Sequence, residues 1–180
     1  MVLKAARRYA NALLQLAIEQ EILESVLNDV ELIDNTIRGS KELKLFLRSP
    51  VIKPDDKKRV LEALFTERCT SLTVQFLDLV IRKRRERLLE QIMQGFIKLY
   101  KIHEGIEEVE LHSAMELPAN VIENLTQTLG KHTGKKIDLS VRVRPELKGG
   151  IAIKIGDTVI DGTVRHKIDQ LQTLFRQTAA

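Results

Sequence analysis

The spacing of apolar residues changes once along this chain, and that change sets two different folding problems. Up to about residue 104, apolar side chains return every three or four positions, as in Ile22, Val26, Val30, Ile33 and Ile37, then Leu89, Ile92, Met93, Phe96 and Tyr100. This spacing lines one face of an α-helix. After Gly105 the period falls to two. Val109, Leu111 and Ser113 alternate with Glu108, Glu110 and His112, and Ile137, Leu139, Val141 and Val143 alternate with Asp138, Ser140, Arg142 and Arg144. Alternation places one side of a strand in a core and the other in water.

The expected fold class is therefore α+β: an all-α six-helix bundle over 1–104, followed by a small α/β domain over 105–180. Helices are expected at about 2–20, 21–38, 41–48, 54–67, 71–84 and 86–104, separated at Gly39-Ser40, at Ser49-Pro50 through Lys53-Pro54, and at Thr70-Ser71. Pro54 suits a first helical position, and Asp55 and Asp56 follow where carboxylates complement the helix dipole. In the second domain the order β-α-β-β-β-α predicts a sheet covered by two helices. Ile122, Leu125 and Leu129 mark the first helix, which Pro118 opens; Val164, Ile168, Leu171 and Phe175 mark the second, more as core than as contact. Lys148-Gly149-Gly150 and Gly156-Asp157 both read as hairpin turns.

Chemistry is hard to find. There is neither a Walker phosphate loop nor the spaced-glycine signature of dinucleotide folds. His103, His112, His132 and His166 are scattered, without a second ligand at zinc spacing. Cys69 follows Arg68 but has no histidine near it in sequence, so an inert thiol is expected. No cofactor, metal or catalytic residue is predicted, and the chain does not read as an enzyme. The net charge of +4 is mild, and aromatic residues at 4% without tryptophan are too few for a protein that stacks on bases. Arg82-Lys83-Arg84-Arg85-Glu86-Arg87 is the one dense basic run, and it falls where cations complement a helix C-terminus. No stretch of about twenty apolar residues, as a membrane span needs, is present. Nor does the N-terminus read as a signal peptide.

The first and fifth predicted helices stand out. On the first, Lys4, Arg7, Arg8, Asn11, Gln15 and Glu19 share one arc and the opposite arc is wholly apolar; Ile18 is the one apolar residue that falls in the polar stripe. On the fifth, Gln75, Asp78 and Arg82 form a narrow polar strip against Leu72, Val74, Phe76, Leu77, Leu79, Val80 and Ile81. A bundle helix needs an apolar stripe of only about 100°. Either both helices are central, or they lie side by side and leave a groove for a partner's amphipathic helix. Small residues such as Ala5 and Ala12 favour the groove.

With these residues in view, the chain resembles the δ subunit of F-type ATP synthases, the oligomycin-sensitivity-conferral protein family, over essentially its whole length. The likeness is carried by Arg8-Tyr9-Ala10-Asn11-Ala12-Leu13 with Ala17, by Ser49-Pro50-Val51-Ile52 with Lys57 and Val60-Leu61, and above all by Gly149-Gly150, Ile153 and the run Ile155 to Arg165. Thr163 stands where serine is common in the family. The resemblance implies a non-catalytic stator subunit that ties the catalytic α/β head to the peripheral stalk during proton-driven ATP synthesis. It implies two partners: the N-terminal helix of an α subunit, held between helices one and five, and the C-terminal end of the stalk b subunits, held by the second domain. By position the groove residues are Tyr9, Ala12, Gln75 and Leu79, with Val26 from the second helix; the helical wheel adds Leu16 and Phe76. One copy per complex is expected, peripheral on the cytoplasmic face of a bacterial inner membrane, without nucleic acid. The rival reading is a basic RNA-binding adaptor using Arg82–Arg87, Arg142 and Arg144.

Overall fold

The computed structural model describes residues 4–156, 158–168 and 170. Val2 and Leu3 of the first expected helix, and Leu171 and Phe175 of the last, lie outside the described residues. The chain divides into two compact units, Met1–His103 and Glu104–Ala180.

The first unit is helical: α1 (Lys4–Glu19), α2 (Leu23–Gly39), α3 (Lys41–Arg48), α4 (Pro54–Phe65), α5 (Ser71–Arg82) and α6 (Leu89–His103). Several starts follow from local chemistry. The Ser40 hydroxyl accepts the Leu43 amide at 3.1 Å and caps α3. Pro54 occupies the first turn of α4, and Thr70 caps α5 by accepting the Thr73 amide. The expected helix from residue 86 is corrected. Glu86–Leu88 is a short 3-10 turn, and α6 begins at Leu89. Arg84 takes the left-handed conformation (φ 53°), which ends α5 and forces a tight re-entry.

The core of this unit includes Leu13, Val30, Ile33, Phe65, Ile92 and Phe96, all essentially without exposed surface. Among the polar groups sealed in with it are Lys57 and Asp29. Lys57 is 2% exposed, and its ammonium donates to the Leu47 carbonyl (2.9 Å), the Ser49 carbonyl (2.8 Å) and Glu86 Oε1 (2.7 Å). Asp29 Oδ2 accepts the Thr70 amide (2.8 Å) and hydroxyl (2.7 Å), tying α2 to the cap of α5. Buried charges persist only when paired in this way.

In the second unit, β1 (Ile106–Ser113), α7 (Ala119–Thr133), β2 (Lys136–Val143), β3 (Ile151–Ile155) and β4 (Thr158–Asp161) form a mixed sheet of order β2-β1-β3-β4. Residues 164–168 are helical. β1 runs parallel to β2 through the α7 crossover, and β3 is antiparallel to both β1 and β4. Ile155 pairs with Thr158 across Gly156 (φ 57°), as a hairpin requires. Lys148-Gly149-Gly150, by contrast, is not a hairpin turn. In the sheet order β3 lies beside β1 and not beside β2, so this segment is a crossover. Val109, Leu111, Leu139, Val141, Ile153 and Ile155 share one face by register; Glu110, His112, Arg142 and Lys154 share the other. There Arg142 and Glu110 form an ion pair at 2.8 Å.

The two glycines have a different use. At Gly150 (φ 77°) an added Cβ would sit 2.5 Å from the Gly162 carbonyl oxygen. The Gly162 amide donates to the Ile151 carbonyl, and the Val164 amide to the Gly149 carbonyl, both at 3.0 Å. Thr163, 1% exposed, donates its amide to Asp161 Oδ1 (2.9 Å), and its hydroxyl accepts the His166 amide (3.2 Å). The residues that carry the family likeness here close two stretches of backbone onto each other.

Candidate partner-binding surface on the helical unit

α1 and α5 are in contact, and the Tyr9 ring meets the Phe76 ring edge-on, with centroids 6.4 Å apart and planes at 72°. An edge-to-face pair of this kind is a favourable way for two helices to meet. Tyr9, Ala12 and Leu16 are spaced 3 and 4 residues apart, on one stripe of α1; Leu72, Gln75, Phe76 and Leu79 occupy the corresponding stripe of α5.

Burial separates the predicted site residues into two groups. Ala12, Leu16, Gln75 and Leu79 are exposed, Leu16 by 40% and Leu79 by 43%, and Tyr9 is half-buried. Val26 has no exposed surface and Phe76 only 5%, so neither presents a face to a partner. Val26 faces inward from α2 into the core, and Phe76 lies beneath the edge of Tyr9.

Much of the apolar excess read from the helical wheels is hidden internally. α1 buries Ala6, Ala10, Leu13, Leu14 and Ala17, chiefly where it packs on α6. α5 is sandwiched more than a wheel can reveal. Val74, Leu77 and Ile81 line a small cleft against Leu61 and Phe65 of α4. Asp78 sits at its rim, where Lys58 at 2.8 Å holds its carboxyl below the usual range and Arg82 pairs with it at 2.7 Å. What remains exposed on the apolar faces of the two helices is a narrow seam of Ala12, Leu16 and Leu79. Covering the two leucines contributes about 1–2 kcal/mol each at ~25 cal/mol/Å².

Cys69, just before the start of α5, is not an activated thiol. Burial, with Asp29 beside it, pushes the Cys69 thiol up to about 11, which opposes thiolate formation and outweighs the cationic Arg68. No group of three or more potential ligands is placed to hold a metal among the described residues. No described helix is long and apolar enough to cross a membrane.

Residues 5–175 match the family model described as ATP synthase delta (OSCP) subunit. The ATP synthase subunit delta of Chlorobaculum tepidum is 38% identical over 168 residues, 93% of each chain. That of Carboxydothermus hydrogenoformans is 35% identical over 170 residues, 94% of this chain and 96% of the relative. A chain in the cryo-EM structure of the Toxoplasma gondii mitochondrial ATP synthase hexamer shares the fold, with a TM-score of 0.76 at 22% identity over 96% of this chain and 98% of that one. The chain belongs to the ATP synthase delta (OSCP) subunit family.

Proposed function

We propose that this chain is a non-catalytic stator subunit of an F-type ATP synthase, linking the catalytic head to the peripheral stalk so that the head does not turn with the rotor. The helical unit receives the N-terminal amphipathic helix of an α subunit along the α1/α5 seam. The sheet unit holds the C-terminal end of the stalk b subunits. The subunit is peripheral, on the cytoplasmic face of a bacterial inner membrane, and acts by transmitting force.

The observation that carries the docking role is the exposure of Ala12, Leu16 and Leu79 on two touching helices, with Tyr9 half-buried between seam and core. An amphipathic helix laid on that seam inserts its own apolar residues between them. Titration of the full chain with a synthetic peptide of the α-subunit N-terminus tests it. Leu79→Asp is expected to weaken binding about tenfold or more with the fold intact, because a carboxylate at the seam is desolvated by the incoming helix. Since apolar contact releases few counterions, binding should change little between low and high salt. Unchanged affinity in the Leu79→Asp chain, with native circular dichroism, would place the peptide elsewhere.

A further inference from the structure

The corner of the helical unit at the end of α5 is built more expensively than a helix terminus requires. Lys83, Arg84, Arg85 and Arg87 are all exposed, and none is in an ion pair with a described residue; Arg82 is taken by Asp78. One or two cations in the last turn complement a helix dipole, and the benefit fades beyond that turn. Here Arg84, Arg85 and Arg87 lie past the helix end. Arg84 also occupies the left-handed position where glycine is usual, at a cost of about 1 kcal/mol. Its amide still donates to the Ile81 carbonyl at 2.8 Å, and that of Arg85 to Val80 at 2.9 Å, so the loop is held in place.

A buried strut holds it from below. Glu86, in the middle of the basic run, points inward to Lys57, and the same ammonium binds the Ser49 carbonyl. The loop 83–87 and the linker 49–53 are therefore fixed side by side. On that linker Val51 is 87% exposed, the most exposed of the large apolar side chains described. Lys53 is exposed as well. A preformed row of unpaired cations beside a protruding apolar side chain is complementary to carboxylates flanking an apolar residue. No aromatic residue occurs in 49–53 or 82–87, so the corner has no platform on which a base could stack.

We propose that the corner formed by residues 49–53 and 83–87 is a second docking surface of this chain, for an acidic segment of a neighbouring protein that sets an apolar side chain against Val51. It does not depend on the role assigned to the α1/α5 seam.

Fluorescence anisotropy of a short labelled peptide of glutamates around a central leucine, titrated with the full chain, tests this. Replacing Arg84, Arg85 and Arg87 together by glutamine is expected to lower affinity about tenfold at ~0.1 M salt. Replacing Lys41, Arg59 and Arg68 together by glutamine removes the same charge from exposed positions elsewhere and should leave affinity within about twofold. Val51→Ser is expected to cost about threefold. Equal losses from the two triple variants would reduce the effect to net charge and overturn the proposal. So would tighter binding of an oligouridine of equal charge that depends on the same three arginines, which would make the surface one for nucleic acid.

Discussion

The two units of this chain achieve order by different means. The helical unit buries whole side chains in depth, and it spends buried charge to pin its connections, as with Lys57 across α3, the linker and Glu86. The sheet unit buries far less. Among its described apolar residues only Val109, Leu111 and Ala152 fall into the buried class, and every residue of β4 is exposed. Its most specific feature is instead a close passage of backbone at Gly150 and Gly162. The comparison teaches that sequence likeness in the two units records different constraints: side-chain volume and pairing in one, absence of a Cβ in the other.

The strongest way to break that contrast is Lys57→Met. It leaves Glu86 buried without its cation and two carbonyls without their donor, so the helical unit should lose about 3–5 kcal/mol. Amide exchange should rise through 4–103 while the sheet amides keep their protection. A loss confined to the linker would show that the strut is local.

Next in size is Gly150→Ala. Its Cβ would meet the Gly162 oxygen at 2.5 Å in a left-handed backbone, so a loss of about 2–4 kcal/mol is expected from chemical denaturation. Gly156→Ala is the control. It too has positive φ (57°), but nothing lies within 4 Å of an added Cβ, so about 1 kcal/mol is expected. Equal losses would mean that backbone dihedrals, not close approach, set the constraint.

The smallest effect concerns pH. Burial raises the Asp34 carboxyl above its usual range, partly offset by Arg38 at 3.4 Å, and its Oδ1 has no hydrogen-bond partner. A raised acid holds its proton more tightly folded than unfolded. Its contribution to stability therefore falls as pH rises from the unfolded value of about 3.8 through the folded one. Asp34→Asn should raise the melting temperature at neutral pH, and the gain should vanish below that window. A gain that persists in acid would assign the effect to something other than ionisation.

Much of the fold was legible because it rests on short-range signals. The change of period at Gly105 marks the unit boundary, and Ser40, Pro54 and Thr70 mark helix starts by chemistry within one turn. What was not legible depends on pairing across distance. A turn-like Lys148-Gly149-Gly150 looks the same whether it closes a hairpin or crosses over, and only the pairing of β3 with β1 decides between them. Lys57 and Glu86 are 29 residues apart, and nothing in their surroundings marks either as buried. At the seam, Ala12 and Leu79 come from the family resemblance and Leu16 from the wheel, and all three are exposed, but the wheels overstate the free surface. A wheel shows how wide an apolar arc is and not how many neighbours a helix has. Phe76 and Val26 lie on arcs that α1 and the core already occupy.

The docking account is tested most directly by methyl resonances of the full chain as the α-subunit peptide is added. The methyls of Leu16 and Leu79 should shift and saturate together at one equivalent. Those of Leu64, exposed to a similar 38% on α4, should stay in place. Shifts at Leu64 with Leu16 and Leu79 unmoved would contradict the seam between α1 and α5 as the place where the partner helix lies.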